Sequence, residues 1–336
     1  MCYIMVMQLQ GITDIARFLT DEALAQQALA DLRWPDGNIT CPLDTVDVET
    51  GEITKCGGEK VYEVNYTRKD KKTGEVIPSV RKQWKCASCR KKFSVTSKSI
   101  FEGSHIEVGK WIYAVYMMCT HKKGVSAAQL SRELNVTHKS AWFMLHRVRE
   151  AMLQEPMAGM LGGNDDFVEL DETFVGGKKK NNRHKNRTAK AGQKTAVFTL
   201  VDRAGDVKTV VVPNVRKNTL QKIAKPIVDK SAHIVTDAHL SYTGLEEHFA
   251  GHSTVDHSKT YVRGVVFHTN FAESYHSLLK RGIIGSFHHV SDKHLHRYLA
   301  EFDRRWNTRD ENDGERAVKV LQTGIGKRLT YNAMVN

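Results

Sequence analysis

The chain has 336 residues, of which 40% are apolar and 26% are charged, and its formal net charge is +12. This length predicts two or three domains with a buried core, and the absence of any apolar run near ~20 residues excludes a membrane-spanning class. The positive charge is typical of proteins that bind a polyanion, most often nucleic acid, although solubility alone is an alternative reason for it.

The first hundred residues read as a helix followed by strands and turns. Residues 1–7 are apolar without a basic segment, so we interpret them as the lead-in to a helix and not as a signal peptide. Residues 12–32 predict a helix in which Asp21 is a plausible cap. Residues 38–103 are strand-and-turn material that carries most of the cysteines. We expect one amino-terminal domain over residues 1–103, built from the first helix and a zinc ribbon.

The zinc ribbon is predicted from four of the six cysteines. Cys86 and Cys89 form a CxxC motif, and Cys41 and Cys56 supply two further thiols upstream. Four thiolates can close a tetrahedral structural Zn²⁺ site. Residues 44–55 look like a polar hairpin inserted between Cys41 and Cys56, which would still let these cysteines meet. The alternative is a redox pair at Cys86 and Cys89, but that motif should open a helix, and none is visible there.

Residues 105–153 predict three helices, which we assign to a helix-turn-helix domain over residues 104–154. A short helix begins at Ser126, residues 135–136 make the turn, and Thr137 caps the next helix. In such a unit the second helix enters the major groove of DNA. A plain helical hairpin is the alternative. The candidate DNA-binding residues on the second helix are Lys139, Ser140 and Arg147.

The pattern changes after a linker at residues 155–164, and residues 165–336 predict the largest domain. Strands are indicated at 167–177, 195–203, 207–215 and 233–239, with residues 204–206 as a hairpin turn. Helices are indicated at 218–230, 270–281 and 291–306. Strands first and then alternating strands and helices predict a mixed sheet with helices on its faces.

Three acidic residues in this domain suggest a site for divalent metal ions. Asp171 lies in an apolar strand, where an ionised carboxylate is unfavourable unless it is paired or binds metal. Asp237 lies near the end of a second strand. Glu273 lies on a helix with Lys280 two turns later on the same face. Acids from two strands and a helix can hold Mg²⁺ or Mn²⁺ for an in-line phosphoryl displacement.

Several segments resemble the DDE insertion-sequence transposases that carry an amino-terminal zinc ribbon, the ISXO-type group. These are VELDETFVGGK at 168–178, VTDAHLSY at 235–242, the block HTNFAESYHSLLKRG within 268–309, and WKCASCRKKF at 84–93. The resemblance spans roughly residues 35–310. It implies a ribonuclease-H-like catalytic domain in which Asp171 and Asp237 are the two aspartates and Glu273 is the third acid. Lys280 is then the basic residue that follows it.

Two side chains compete for the third position. Asn270 lies one helical turn before Glu273 and faces the same way. The resemblance implies that some members of the group use an asparagine there, so Glu273 is favoured but Asn270 stays open. Glu169 and Glu172 flank Asp171, and we expect a supporting role for them. His268 and His276 flank Glu273 and are candidates for the same kind of role.

A basic run lies directly after the Asp171 strand. Residues 178–190 hold seven Lys or Arg and no acid, beginning with Lys178, Lys179 and Lys180. Such a run is often a solvated loop, and in this place it can also follow DNA phosphates.

The resemblance implies a transposase that cleaves and joins double-stranded DNA as a homo-oligomer at the nucleoid of a prokaryotic cytoplasm. The alternatives are a DNA-binding regulator with an inactive carboxy-terminal domain and a metal-dependent nuclease without a joining step.

Overall fold

A computed structural model of the chain describes most of its residues, namely 9, 11–46, 50–64, 67–69, 73–78, 81–154, 160–164, 166–176, 194–255 and 268–335. The basic run that begins at Lys178, Lys179 and Lys180 therefore lies outside the described residues. No helix in the described part is both long and apolar enough to cross a lipid bilayer.

The chain divides into two compact units. Unit 1 contains residues 1–121, 127–152 and 310–336, and unit 2 contains residues 122–126 and 153–309. The last residues thus belong to unit 1, whereas we expected the catalytic domain to continue to residue 336. The reason is an amphipathic helix, Asp313–Gly324, that buries Ala317, Val320 and Leu321 among the helices of unit 1.

Unit 1 begins with two helices in place of the predicted single helix over 12–32. Asp21 ends the first helix and caps the second, because its side chain accepts a hydrogen bond from the Leu24 N–H. The three helices predicted for 105–153 are present as helices. The helices of unit 1 are α1 (Ile12–Thr20), α2 (Glu22–Arg33), α3 (Val108–Thr120), α4 (Ala127–Leu134), α5 (His138–Met152), α9 (Asp313–Gly324) and α10 (Tyr331–Val335).

Short antiparallel strands make up the remainder of unit 1. A hairpin of β1 and β2, a three-stranded sheet in the order β3-β6-β7, and a hairpin of β4 and β5 are formed. Trp34 packs edge-on against Trp84, which stacks on Phe93, and this aromatic cluster is the apolar centre of the segment. The strands are β1 (Asp44–Val46), β2 (Ile53–Lys55), β3 (Val61–Val64), β4 (Thr67–Lys69), β5 (Val76–Pro78), β6 (Gln83–Cys86) and β7 (Lys92–Ser94).

Unit 2 is a mixed five-stranded sheet in the order β10-β9-β8-β11-β12 with helices, as the sequence predicts. The pairs β8–β9 and β9–β10 are antiparallel, and β8–β11 and β11–β12 are parallel. The elements are β8 (Phe167–Val175), β9 (Thr195–Asp202), β10 (Val207–Val212), α6 (Lys217–Ile227), β11 (His233–Asp237), β12 (Gly251–Val255), α7 (Asn270–Gly282) and α8 (Asp292–Asn307).

The two faces of this sheet carry different helices because side chains alternate along a strand. Val168 and Leu170 of β8 pack with α6 on one face. Val175 and its neighbours pack with α7 and α8 on the other. Residues 169, 171, 173 and 175 of β8 therefore point towards α7. This alternation decides which acids of β8 can meet the helix that carries Glu273.

Candidate functional site

The four predicted cysteines come together in unit 1. β1 and β2 pair with Asp44 opposite Lys55, so the inserted residues form the predicted hairpin and return Cys56 to the vicinity of Cys41. The Cys56 N–H donates to the Leu43 carbonyl at 2.8 Å, and the Cys41 N–H donates to the Gly58 carbonyl at 3.0 Å. The long spacing between the first two cysteines is thus absorbed by a local hairpin.

The thiol geometry fits a tetrahedral metal ion. The Sγ atoms of Cys41 and Cys89 are 3.6 Å apart and those of Cys56 and Cys86 are 3.7 Å apart, and all four lie within 4.8 Å of one another. A tetrahedron with Zn–S bonds of ~2.3 Å has S–S edges of about 3.8 Å. Four cysteines with these distances can hold one metal ion.

Hydrogen bonds from backbone groups favour the thiolate form of Cys86. Burial alone would raise the pKa of Cys86, but hydrogen bonds from the Cys89 and Ser88 backbone, and from neighbouring thiols, lower it to about 7. Burial raises the pKa of Cys41 to about 12. Without a cation the four cysteines therefore cannot all be thiolates. A bound metal ion would stabilise the thiolate form.

Gly58 is required by the close approach of the two halves of this cluster. A Cβ atom at this position would lie 2.7 Å from the Cys86 Sγ and 2.9 Å from the Ser88 Oγ. Any larger residue would push the CxxC motif away from Cys41 and Cys56.

The candidate DNA-binding residues of α5 divide into exposed and buried ones. Asn135, with φ of +49°, turns the chain between α4 and α5, and Thr137 accepts the Ser140 N–H as the predicted cap. Lys139 is exposed and Ser140 is half-buried in the first turn of α5.

Arg147 is in the wrong place for DNA contact, contrary to our expectation. It is only 5% exposed, and it donates to the Leu329 carbonyl at 3.0 Å and to the Glu102 carbonyl at 2.6 Å. Its guanidinium also lies 4.6 Å from the ring centroid of Phe143. It was misassigned because the C-terminal residues that cover it are far away in sequence.

Asp171 and Asp237 occupy neighbouring positions on one face of the unit 2 sheet. The parallel register of β8 and β11 pairs Thr236 with Leu170, so each aspartate is the next residue on its strand. Adjacent strands lie about 4.8 Å apart. The carboxylate of Asp237 accepts the His239 N–H at 3.1 Å, and that of Asp171 accepts the Glu172 N–H at 2.7 Å.

α7 brings Glu273 close to this pair. Burial raises the pKa of Asp171 to about 7, and the negative charges of Glu172, Asp237 and Glu273 add to the effect. The structure thus places Asp237 and Glu273 within electrostatic reach of Asp171. Like charges gathered in this way favour a bound cation.

His276 connects α7 to the strands beneath it. Its Nδ1 is 3.4 Å from Asp171 Oδ2, and its Nε2 is 2.9 Å from Thr199 Oγ1. Burial, together with the positive charge of Lys280, lowers the pKa of His276 to about 4. The ring is therefore neutral at pH 7 and acts as a hydrogen-bonding support. Lys280, exposed on the same helix, lies near enough to influence it.

Glu169 fixes the beginning of α7. It is fully buried, and its Oε2 accepts the Ala272 N–H at 2.9 Å. Its Oε1 lies 3.3 Å from Arg203 Nη2 and 3.1 Å from His268 Nδ1. The sequence does not indicate that Arg203 belongs to this network. Arg203 directly follows the apolar strand β9, a position where exposed residues are common.

Glu172 points to the opposite face of β8. Its carboxylate accepts a hydrogen bond from the buried Tyr242 hydroxyl, and burial raises its pKa. Asn270 is exposed at the start of α7, one turn before Glu273. Among the described residues, only the four cysteines form a group of potential ligands that converges as closely as a preformed metal site.

Comparison with known proteins shows similarity to transposases. Residues 160–307 match the ISXO2-like transposase domain. An uncharacterized protein in the transposable element ISH50 of Halobacterium salinarum is 27% identical over 320 residues, which are 90% of this chain and 97% of that protein. The chain is thus similar to a transposase domain over residues 160–307 and to a protein of a transposable element over most of its length.

Solved structures similar to this chain include two Mos1 complexes. The pre-cleavage Mos1 transpososome is 14% identical, with a TM-score of 0.24 over 56% of this chain and 74% of that chain. The Mos1 paired-end complex with Mn is 14% identical, with a TM-score of 0.23 over 56% of this chain and 75% of that chain. Similarity at this level carries no conclusion about the present site.

Proposed function

We propose that this chain is an insertion-sequence DDE transposase that binds the ends of its element and catalyses metal-dependent DNA strand cleavage and strand transfer. The observation that carries the proposal is the convergence of charge at Asp171. Asp237 is its neighbour on the same sheet face, and Glu273 adds a third negative charge from α7. A buried acid surrounded by like charges is unfavourable unless a cation is bound there.

In the proposed site Asp171, Asp237 and Glu273 hold one or two Mg²⁺ or Mn²⁺ ions. When bound, such ions stabilise negative charge on the attacking and leaving oxygens of an in-line displacement. Oxygen ligands are those that these hard cations prefer. Lys280 orients a DNA phosphate through its charge. His276 and Glu169 keep the strands and α7 in position.

The reaction exchanges one phosphorus–oxygen bond for another in each step. In cleavage, a water oxygen bonds to phosphorus and loses its proton, while the bond to the 3′ oxygen breaks and that oxygen gains a proton. In strand transfer, the freed 3′ hydroxyl oxygen bonds to a phosphorus of the target strand and loses its proton, while the bond to the target 3′ oxygen breaks and that oxygen gains a proton. No oxidant or further reactant is needed.

DNA binding is proposed for unit 1 and for the basic run. A Zn²⁺ ion at Cys41, Cys56, Cys86 and Cys89 would staple the ribbon, and α4 and α5 would form a helix-turn-helix whose exposed first turn, with Lys139 and Ser140, contacts DNA. Residues 178–190 would follow phosphates. We expect a homo-oligomer on the paired ends of the element, acting at the nucleoid of the cytoplasm.

Cleavage of labelled terminal DNA in Mg²⁺ or Mn²⁺, run beside a binding assay, tests the catalytic part. Asp171→Ala, Asp237→Ala and Glu273→Ala should each abolish cleavage and joining while DNA binding survives. Asn270→Ala should be milder if Glu273 is the third ligand and equally severe if it is not. Ser274→Ala, an exposed change on α7 beside Glu273, is the control.

The outcomes separate the three candidate functions. Full cleavage by Asp237→Ala would remove the carboxylate mechanism and favour a DNA-binding regulator. Cleavage by the unmodified chain without any joined product would favour a nuclease. Lys280→Ala should reduce the rate and leave metal affinity unchanged, because its charge orients a phosphate and not a cation.

A further inference from the structure

The C-terminal strap, defined here as residues 327–335, lies along α5. Lys327 Nζ is 3.2 Å from the Glu150 carbonyl oxygen, at the C-terminal end of α5. Further along the strap, the Leu329 carbonyl accepts the Arg147 Nε–H at 3.0 Å. The strap therefore runs antiparallel to α5, towards the end of the helix proposed to contact DNA.

The middle of the strap makes an aromatic contact near the first turn of α5. The Tyr331 ring meets the Phe143 ring edge-on, with 5.9 Å between centroids. The Lys139 ammonium lies 4.8 Å from the centroid of the same tyrosine ring. One stripe of α5 carries Lys139, Phe143 and Arg147, because these residues are spaced by four. The strap covers this stripe from Arg147 towards the N-terminus of the helix.

The residues of the strap differ in how far they are buried. Leu329 is 4% exposed and Met334 is fully buried, whereas Tyr331 is 42% exposed. The tyrosine thus sits at the surface between two anchors, beside the most exposed turn of α5. A ring that packs on the helix and still faces solvent is well placed to hold a neighbouring cation at the surface.

We propose that the strap is part of the DNA-reading surface and that Tyr331 is a positioning residue that holds Lys139 for contact with DNA. The proposal rests on the proposed DNA-binding role of α5. A free lysine has many rotamers, and ordering it on binding reduces affinity. A cation held over an aromatic face is ordered before DNA arrives, so less entropy is lost when the contact forms.

Fluorescence anisotropy with labelled duplexes that carry the terminal sequences flanking the gene tests this. The full chain is compared with Tyr331→Leu, Tyr331→Phe, Lys139→Ala and the double variant Lys139→Ala/Tyr331→Leu. Tyr331→Leu should weaken binding by about two- to fivefold, the equivalent of one exposed cation–π contact. Tyr331→Phe keeps the ring and should bind like the unmodified chain. In the Lys139→Ala background, Tyr331→Leu should have no further effect.

The double variant separates positioning from a merely structural role. Should Tyr331→Leu weaken binding equally with and without Lys139, or should Tyr331→Phe bind as weakly as Tyr331→Leu, the positioning role is wrong. An unchanged affinity in Lys139→Ala alone would instead refute the DNA-binding role proposed for this turn of α5. Thermal melting checks that each variant is folded, and Tyr331→Met replaces Tyr331→Leu if that chain does not fold.

Discussion

The cysteine cluster and the acid site achieve convergence by opposite means. In the cluster, turns and a hairpin bring four Sγ atoms to the spacing of a tetrahedron. At the acid site, burial raises the pKa of Asp171, and the carboxylates on β8, β11 and α7 add to the effect. The first is a closed set of potential ligands determined by the local backbone. The second depends on packing between distant elements.

The residues that surround the two sites also differ. Close neighbours of the thiols are small, with Gly58 against Cys86 and Ser88. The acids have polar supports, with His276 against Asp171 and Glu169 against the first turn of α7. Disturbing the first site should therefore affect folding, and disturbing the second should affect position and charge. The predictions below test this contrast, from the largest expected effect to the smallest.

Removal of zinc should unfold the ribbon and leave unit 2 folded. We expect about one zinc per purified chain, and Cys86→Ala should lose it. Since a small strand-rich segment depends on its metal for folding, both chelation and Cys86→Ala should expose residues 38–103 to protease and hydrogen exchange. Metal analysis and hydrogen-exchange mass spectrometry measure this.

Removal of Mg²⁺ is the matched control for that experiment. A reversibly bound catalytic ion stabilises the folded state only through mass action, so Mg²⁺-free buffer should lower the melting temperature of unit 2 slightly and leave its exchange pattern intact. A chain free of zinc whose ribbon stays protected would contradict the contrast.

Glu169→Gln should reduce cleavage more than its effect on stability explains. The amide can still accept the Ala272 N–H but no longer balances the charge of Arg203. Burial raises the pKa of Glu169 to about 7, so removing its charge should not lower the free energy of unfolding appreciably at neutral pH. The start of α7, and Glu273 with it, would shift, and residues that orient metal ligands typically contribute about 10–100-fold to activity. Denaturant unfolding and cleavage assays are compared on the same protein.

Glu301→Gln provides the control. Glu301 is also fully buried and also pairs with an arginine, Arg305, but on α8. Loss of this ion pair should leave cleavage close to that of the unmodified chain, at a temperature where both variants are folded. Equal losses of cleavage in the two variants would show that Glu169 acts through general stability and not through α7.

The sequence was most informative where local patterns decide the structure. The Asp21 cap, the hairpin between Cys41 and Cys56, and the strands of unit 2 all follow from neighbouring residues. What the sequence could not reveal depends on long-range packing. Arg147 was predicted to contact DNA, but the Leu329 carbonyl that it binds lies 182 residues away. The alternation of side chains along β8 predicts which face carries Asp171. The contacts of Arg203 and His276 with the acids of β8 follow only from the tertiary fold.

Asp171→Asn should stabilise unit 2 in metal-free buffer, the opposite of a cysteine substitution in the ribbon. The folded-state pKa of Asp171 is raised to about 7 by burial and by neighbouring acids, above its unfolded value. An acid shifted in this direction destabilises the folded state increasingly as pH rises from the unfolded pKa to the folded one. Asparagine keeps the acceptor for the Glu172 N–H and removes the charge. At pH 8 we expect the free energy of unfolding to rise by about 1–2 kcal/mol. Added Mg²⁺ should stabilise the unmodified chain and reduce the difference in the free energy of unfolding between it and Asp171→Asn. Asp229→Asn is the control, because hydrogen bonds from Ser231 lower the pKa of that half-buried acid and its loss should slightly destabilise the fold. A less stable Asp171→Asn would mean that the contact with His276 outweighs the repulsion, and that the acid site, like the cysteine cluster, contributes to folding.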